Sequence, residues 1–312
     1  MSGDRTGRVT APHRQSSLFV CPETGEALDN WRTSAGTRYP LLSGIPVLVA
    51  EPRAFLLRHG PWEPGLGVPT AAREPLGVGE PDAVTPHLPA GALGAPGGLG
   101  DWLSGIAGLT PAQVATGLGA EIAPPGPVLH LGCGVGDFSR RAVQVGRVVY
   151  AVDRSPEAVV MARDLLTGRQ RQTWLPTHKG GCAKVRFPHQ PVVGGIQFAI
   201  VDPCRLPFRP GTFAWVHLDQ ALDDASPGRV GELLVSATAA LRRGGVLTLC
   251  TAYSGPQVAV PDAPAPKGEL AEALGELGLT ILREQDQVPR IVRWYDRRFE
   301  VSFHHCLAAR RS

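Results

Sequence analysis

The chain has 312 residues, with 31 Lys and Arg against 28 Asp and Glu, a net charge of +3. That balance is too small to argue for nucleic acid as a partner, while 43% hydrophobic residues can fill a sizeable core. No run of about 18 apolar residues occurs, so no membrane span is expected; the polar stretch Met1 to Arg14 lacks the apolar segment of a signal peptide, which points to the cytoplasm. Six cysteines, at 21, 133, 182, 204, 250 and 306, form no C-x-x-C pair. Neither a zinc ribbon nor a redox motif follows from them, no metal is expected, and a disulfide framework is not indicated.

In chain order, residues 1–16 read as a flexible tail. Residues 17–51 form a small β-rich segment with strand-like runs Leu18-Phe19-Val20 and Ile45-Pro46-Val47-Leu48-Val49. Residues 52–99 are rich in Pro, Gly and Ala and read as a linker, since a stretch this long without periodicity favours a boundary. From about residue 100 onwards, apolar strands alternate with amphipathic helices. Strands are expected at Val128–Leu131, Val148–Val152, Ile196–Val201, Phe213–Leu218, Val246–Thr251, Thr280–Arg283 and Phe299–Leu307. Helices are expected at Phe138–Val145, Pro156–Leu166, Gly228–Arg243 and Leu270–Leu277. Residues 168–195 interrupt the pattern with an inserted hairpin around Gly180-Gly181. The alternation predicts an α/β, Rossmann-like, mostly parallel seven-stranded sheet with helices on both faces and an antiparallel C-terminal strand.

The chemistry concentrates in three places. The first is Val128-Leu129-His130-Leu131-Gly132-Cys133-Gly134-Val135-Gly136-Asp137-Phe138, an apolar strand, a glycine loop and a helix start. Such glycines let a ligand touch the backbone, and the helix offers free N–H groups in its first turn. A dinucleotide fingerprint would need glycine where Asp137 stands, and a carboxylate there repels a pyrophosphate. The second place is Val148-Val149-Tyr150-Ala151-Val152-Asp153, a strand ending in a carboxylate about 20 residues after the loop, placed to accept from ribose hydroxyls. The third is Phe198-Ala199-Ile200-Val201-Asp202-Pro203-Cys204-Arg205-Leu206-Pro207-Phe208, followed by Gly211-Thr212-Phe213-Ala214-Trp215-Val216.

This ordered set, with Leu241-Arg242-Arg243-Gly244-Gly245-Val246-Leu247, resembles the class I S-adenosylmethionine-dependent methyltransferases over residues 128–252, and most closely their small-molecule branch, the methyltransferase type 11 core. The resemblance implies S-adenosyl-L-methionine as cofactor. It implies cofactor contacts from His130, Gly132, Cys133, Gly134, Gly136, Asp153, Arg154, Asp202, Pro203 and Asp219, with Asp202 on the adenine amino group. The family usually carries Asp or Glu at the position of His130; a neutral histidine can still accept a hydrogen bond there. Separately, Cys21-Pro22-Glu23-Thr24 and Arg38-Tyr39-Pro40-Leu41-Leu42-Ser43-Gly44-Ile45-Pro46-Val47-Leu48 resemble the small zinc-ribbon-like domain of methyltransferase activator proteins. Thr24 stands where that domain's second cysteine would be, which implies a degenerate, metal-free version.

Methyl transfer needs the acceptor positioned and, where required, deprotonated. His217, Asp219 and Tyr253 follow the fourth and fifth strands of the alternating domain and are the candidate catalytic groups, with packing the competing role of His217 and cofactor binding that of Asp219. Arg293, Trp294, Tyr295 and Arg298 are candidates for gripping an anionic or aromatic acceptor; a turn of solvated arginines is the competing view. A small-molecule acceptor is the leading expectation. An RNA or protein acceptor, or a non-catalytic scaffold that keeps the cofactor site, are the alternatives.

Overall fold

The computed structural model describes residues 18–58, 109–169, 172–178, 181–186, 191–219, 221–254, 266–295 and 298–312. The expected tail (1–16) and residues 59–99 of the expected linker lie outside this set. In chain order the elements are β1 (Leu41–Leu42), β2 (Ile45–Leu48), α1 (Pro52–Arg58), α2 (Pro111–Ala120), β3 (Val128–Leu131), α3 (Asp137–Gln144), β4 (Val149–Asp153), α4 (Pro156–Leu166), β5 (Gln172–His178) and β6 (Gly181–Arg186). There follow β7 (Ile196–Val201), β8 (Phe213–Asp219), a 3-10 turn (Pro227–Arg229), α5 (Val230–Ala240), β9 (Leu241–Thr251), α6 (Pro266–Glu276), β10 (Leu279–Tyr295) and β11 (Arg298–Arg311).

The main sheet runs β1-β2-β7-β4-β3-β8-β9-β11-β10. Its central strands β7, β4, β3, β8 and β9 are all parallel, and β11 enters antiparallel against β9. These five strands with β11 and β10 make the expected seven; the N-terminal segment adds two more, with β2 parallel to β7 through Val47↔Ile200 and Leu48↔Val201. The central strands read as near-continuous apolar runs because helices bury both faces. One face packs α2, α3 and α4 through Val114, Phe138, Ala142 and Val159. The other packs α5 and α6 through Leu233, Leu234, Leu270 and Leu274, together with Phe19, Cys21 and Tyr39. The expected insertion is present as an antiparallel hairpin, β5 with β6, forming its own two-stranded sheet. Among the described residues, no helix is long and apolar enough to cross a membrane.

Several elements depart from the sequence reading, among them α1, which forms within the expected linker. Helix α2 was not anticipated, although its start is signalled. Thr110 caps it by accepting from Gln113 N at 3.3 Å, the Gln113 side chain returns to Thr110 N at 2.8 Å, and Pro111 opens the first turn. Helix α5 ends at Ala240 rather than Arg243, because Leu241 is already extended and pairs with Phe213 in β8. The two final strands are far longer than Thr280–Arg283 and Phe299–Leu307. They pair with each other, and only His305–Arg310 pair with β9, so residues 286–295 and 298–304 rise beyond the carboxyl end of that strand.

Helix α2 is fixed against the sheet by Gly119. A Cβ at that position would overlap the indole of Trp215, which is fully buried and donates its Nε1–H to Thr248 Oγ1 at 2.8 Å. Gly117, two residues earlier on the same helix, is exposed and has open space around it. Gly119→Ala should therefore destabilise the protein by about 1–3 kcal/mol through overpacking. Gly117→Ala should stabilise it by about 0.5–1 kcal/mol through helix propensity. Chemical denaturation of the two variants checks the opposite signs, and equal shifts would refute this packing of α2.

Candidate functional site

The cleft lies where the strand order reverses, above the carboxyl ends of β3 and β8, the place where open α/β sheets take ligands. After Leu131 the chain turns through Gly132, Gly134 and Gly136 with φ of 71°, 48° and 91°, values at which L side chains are strained. Gly132 N and Cys133 N both donate to Val152 O, at 3.0 and 3.1 Å, tying the loop to the tip of β4. A Cβ on Gly132 would lie 2.8 Å from Asp219 O, so only glycine lets β3 leave the sheet this close to β8. Gly134 has open space where a Cβ would be, which leaves its backbone bare to a ligand. Asp137, at the first position of α3, is engaged by Arg140 at 2.8 Å and Arg141 at 3.2 Å.

Carboxylates come to the rim from neighbouring strands. Asp153, at the tip of β4, accepts from Gly134 N at 2.9 Å and from Ser155 N at 2.8 Å, and burial raises its pKa. Ser155 in turn caps α4 by accepting from Ala158 N at 3.2 Å. Asp202, after β7, accepts from Cys204 N at 3.1 Å and holds Arg229 through one guanidinium nitrogen, 2.8 and 3.0 Å from its two oxygens. Asp219, at the tip of β8, is pushed up to about 6 by burial, against the opposing pull of the Arg290 guanidinium. Together these edges enclose a cleft of about 620 Å³, lined by the glycine loop, Asp153, Arg154, Pro203, Cys204, Asp219, Arg229 and Arg290.

Of the residues singled out in the sequence, Gly132, Cys133, Gly134, Gly136, Asp153, Arg154, Pro203 and Asp219 line this cleft, and Asp202 adjoins it through Arg229. His130 and His217 are fully buried beneath the loop. They face each other in register across β3 and β8, and Phe138 stacks on His217 with ring centroids 3.8 Å apart. Burial holds His217 neutral, its pKa lowered to about 3, and lowers that of His130 as well. Tyr253 has a left-handed backbone, with φ 53°. Its hydroxyl meets His305 Nδ1 at 2.6 Å, and His305 Nε2 meets Glu284 Oε2 at 3.1 Å. Arg293, Trp294, Tyr295 and Arg298 fall within β10 and β11 rather than in a turn, and their side chains lie outside the described residues.

Three participants, Arg229, His305 and Glu284, went unremarked in the sequence, and Arg290 was remarked only for its charge. Arg229 follows no motif, since it reaches Asp202 from the 3-10 turn. Arg290 was one of several C-terminal arginines until the long hairpin carried it over the cleft. His305 and Glu284 come together only through the pairing of β10 with β11. No local pattern announces that pairing.

Residues 129–249 match the family model described as a methyltransferase domain. None of the curated proteins matches the chain. Among solved structures, the magnesium protoporphyrin IX methyltransferase of Synechocystis PCC 6803 with bound S-adenosylmethionine is 19% identical, covering 70% of this chain and 86% of that one, with a TM-score of 0.43. A SAM-dependent methyltransferase of Methanosarcina mazei is 16% identical over 61% of this chain and 94% of its own, with a TM-score of 0.43. The [4+2]-cyclase SpnF is 15% identical over 64% and 80%, with a TM-score of 0.45. With likenesses at that level, the assignment rests on the family match and on the strand order of the sheet itself. Residues 129–249, which run from β3 to β9 through the parallel centre of the sheet, are thus similar to a methyltransferase domain, an enzyme unit whose cofactor is S-adenosylmethionine.

Proposed function

We propose that the protein transfers the methyl group of S-adenosylmethionine to an O, N or C atom of a small-molecule acceptor. The observation that carries the cofactor part is Asp153, whose carboxylate grips the bare backbone of Gly134 at the floor of the cleft. Bound there, the cofactor supplies an activated methyl group on a sulfonium. In this reading Asp153 accepts from the ribose hydroxyls. Asp202 accepts from the adenine amino group, once Arg229 yields one of its oxygens, and Pro203 and Cys204 flank the ring. At the other end, Asp219 and Arg290 stand as an acid and a base side by side, the complement of an amino acid's ammonium and carboxylate.

The acceptor part rests on the C-terminal hairpin, which extends beyond the carboxyl end of β9 and brings Arg290 to the cleft, and on the size of the chamber, which suits a small ligand better than a duplex. Tyr253 is the candidate base. Its hydroxyl donates to His305 Nδ1 while His305 Nε2–H donates to Glu284, the arrangement in which an imidazole draws a proton from a nucleophile or base. Burial raises the Tyr253 phenol to about 12, so the relay is needed for it to act near neutrality. Residues 17–51 are proposed as a degenerate zinc-ribbon-like unit docked on β7. Residues 59–99, with α1 before them, are proposed as the connection to the catalytic domain over 100–312.

Calorimetry with S-adenosylhomocysteine tests the cofactor part, and absence of binding at millimolar concentration would overturn it. Asp153→Ala should weaken binding by roughly tenfold to a hundredfold, the weight of a charge-assisted hydrogen bond at about 1.5–3 kcal/mol. Arg290→Ala should weaken S-adenosylhomocysteine by about tenfold while leaving 5′-methylthioadenosine, which has no amino acid end, unchanged. Equal losses for both ligands would remove Arg290 from the carboxylate. Native mass spectrometry of the purified protein then identifies the acceptor class; a retained RNA fragment would count against a small molecule.

A further inference from the structure

Beneath the glycine loop lie two histidines to which the proposed function gives no role, beside Asp219, which that reading places at the cofactor's amino acid end. His130 on β3 and His217 on β8 are register partners on parallel strands, so their side chains leave the same face of the sheet. Asp219, two residues beyond His217, leaves that face again at the tip of β8. Ligating atoms of the three lie within 4.8 Å of one another. Both imidazoles are fully buried, and the Nε2 atom of each has no hydrogen-bond partner among the described residues. Unpaired buried polar atoms are rare in native proteins and demand an explanation.

The hydrogen bonds on the far side of each ring say which kind of atom is aimed at the gap. His217 Nδ1 faces Thr248 O at 3.3 Å and Thr248 Oγ1 at 3.0 Å. A carbonyl only accepts, so the contact to Thr248 O favours the tautomer in which Nδ1 carries the proton and Nε2 presents a lone pair. His130 Nδ1 meets Ser139 Oγ at 2.8 Å. A hydroxyl on Nδ1 serves the same tautomer. In that tautomer the gap is faced by two imidazole lone pairs and one carboxylate, three acceptors and no donor. A water molecule donates only two protons and leaves one of them unanswered. The imidazoles present no surface to the cleft, which rules out a substituted ammonium and leaves an atom-sized cation.

We infer that His130, His217 and Asp219 form a binding site for a divalent transition metal at the floor of the cleft. Two imidazoles and a carboxylate suit zinc, cobalt, nickel or iron(II), and not magnesium or calcium, which take oxygen ligands. Backbone and hydroxyl partners on the outer ring nitrogens are what metal-bound histidines use to fix tautomer and orientation. Asp219 is the one member that lines the cleft, so the remaining coordination positions open towards it. The ion bonds to Nε2 of each ring and to a carboxylate oxygen, and no covalent step is involved.

The test uses the full, untagged chain stripped of metal with a chelator and titrated with cobalt(II). The expected result is one equivalent of cobalt giving visible ligand-field absorption, displaced by one equivalent of zinc. His217→Gln and Asp219→Asn should each weaken cobalt binding at least about tenfold, and Thr248→Val by about tenfold through the outer partner, whereas His305→Asn should leave it unchanged. Because a buried variant can fail to fold, nitrogen-15 spectra of the wild-type imidazoles decide independently. Zinc should move the Nε2 resonances of His130 and His217 far more than their Nδ1 resonances. Absence of saturable cobalt binding, binding that survives His217→Gln, or Nε2 resonances that zinc leaves in place would each overturn the site.

Discussion

Everything at the carboxyl edge of the sheet depends on how closely β3 is allowed to leave its neighbours. Two successive amides, Gly132 N and Cys133 N, converge on the single carbonyl of Val152, while Gly132 passes so near the carbonyl of Asp219 that a Cβ there would overlap it. This contact draws the tips of β4 and β8 in beside the loop. It is a constraint of backbone on backbone, and side chains enter only afterwards. Once the loop is seated, Gly134 lies within reach of Asp153, Gly136 begins α3, and Phe138 drops onto the ring of His217. The geometry of the cleft is inherited from that approach rather than assembled residue by residue.

The aromatic layer under the loop makes the inheritance rigid. Phe138 stacks on His217 and meets Trp215 edge to face at 5.1 Å, an arrangement that adds about 0.5–1.5 kcal/mol per pair beyond area burial. Trp215 is locked in its turn by Thr248 and by the glycine on α2. The histidine pair is therefore held from one side by aromatic packing and from the other by β9, with no freedom to seek other partners. That immobility is why two unsatisfied nitrogens are informative: neither ring can rotate away to relieve them.

What was legible in the sequence followed from local rules. The strand ending in glycines, the strand ending in Asp153 and the proline-capped helix after it each carry their signal within a dozen residues. The sheet places them as expected. The Thr-Pro-Ala-Gln start of α2 was equally local, and was passed over because α2 precedes the strand-helix alternation. The rest was not written locally. Arg229 and Arg290 reach the cleft from elements whose positions are set by tertiary packing. The neighbourhood of His305 and Glu284 exists only through a long antiparallel pairing whose register shifts at three points. His130 showed as an oddity in one motif; that it has a second histidine directly opposite is a fact about sheet order, which no single strand reveals.

The docking of β2 on β7 has a kinetic meaning. Val47 pairs with Ile200 across 153 residues of chain (200 − 47), so the edge of the sheet cannot close until much of the molecule has been synthesised and ordered. Long-range closure of this kind slows folding, and until it happens β7 stands as an open parallel edge, the sort of template on which chains pair with one another. The N-terminal segment then acts as a late seal on a nascent sheet. The interval before it arrives is when the growing protein is most exposed to misassembly.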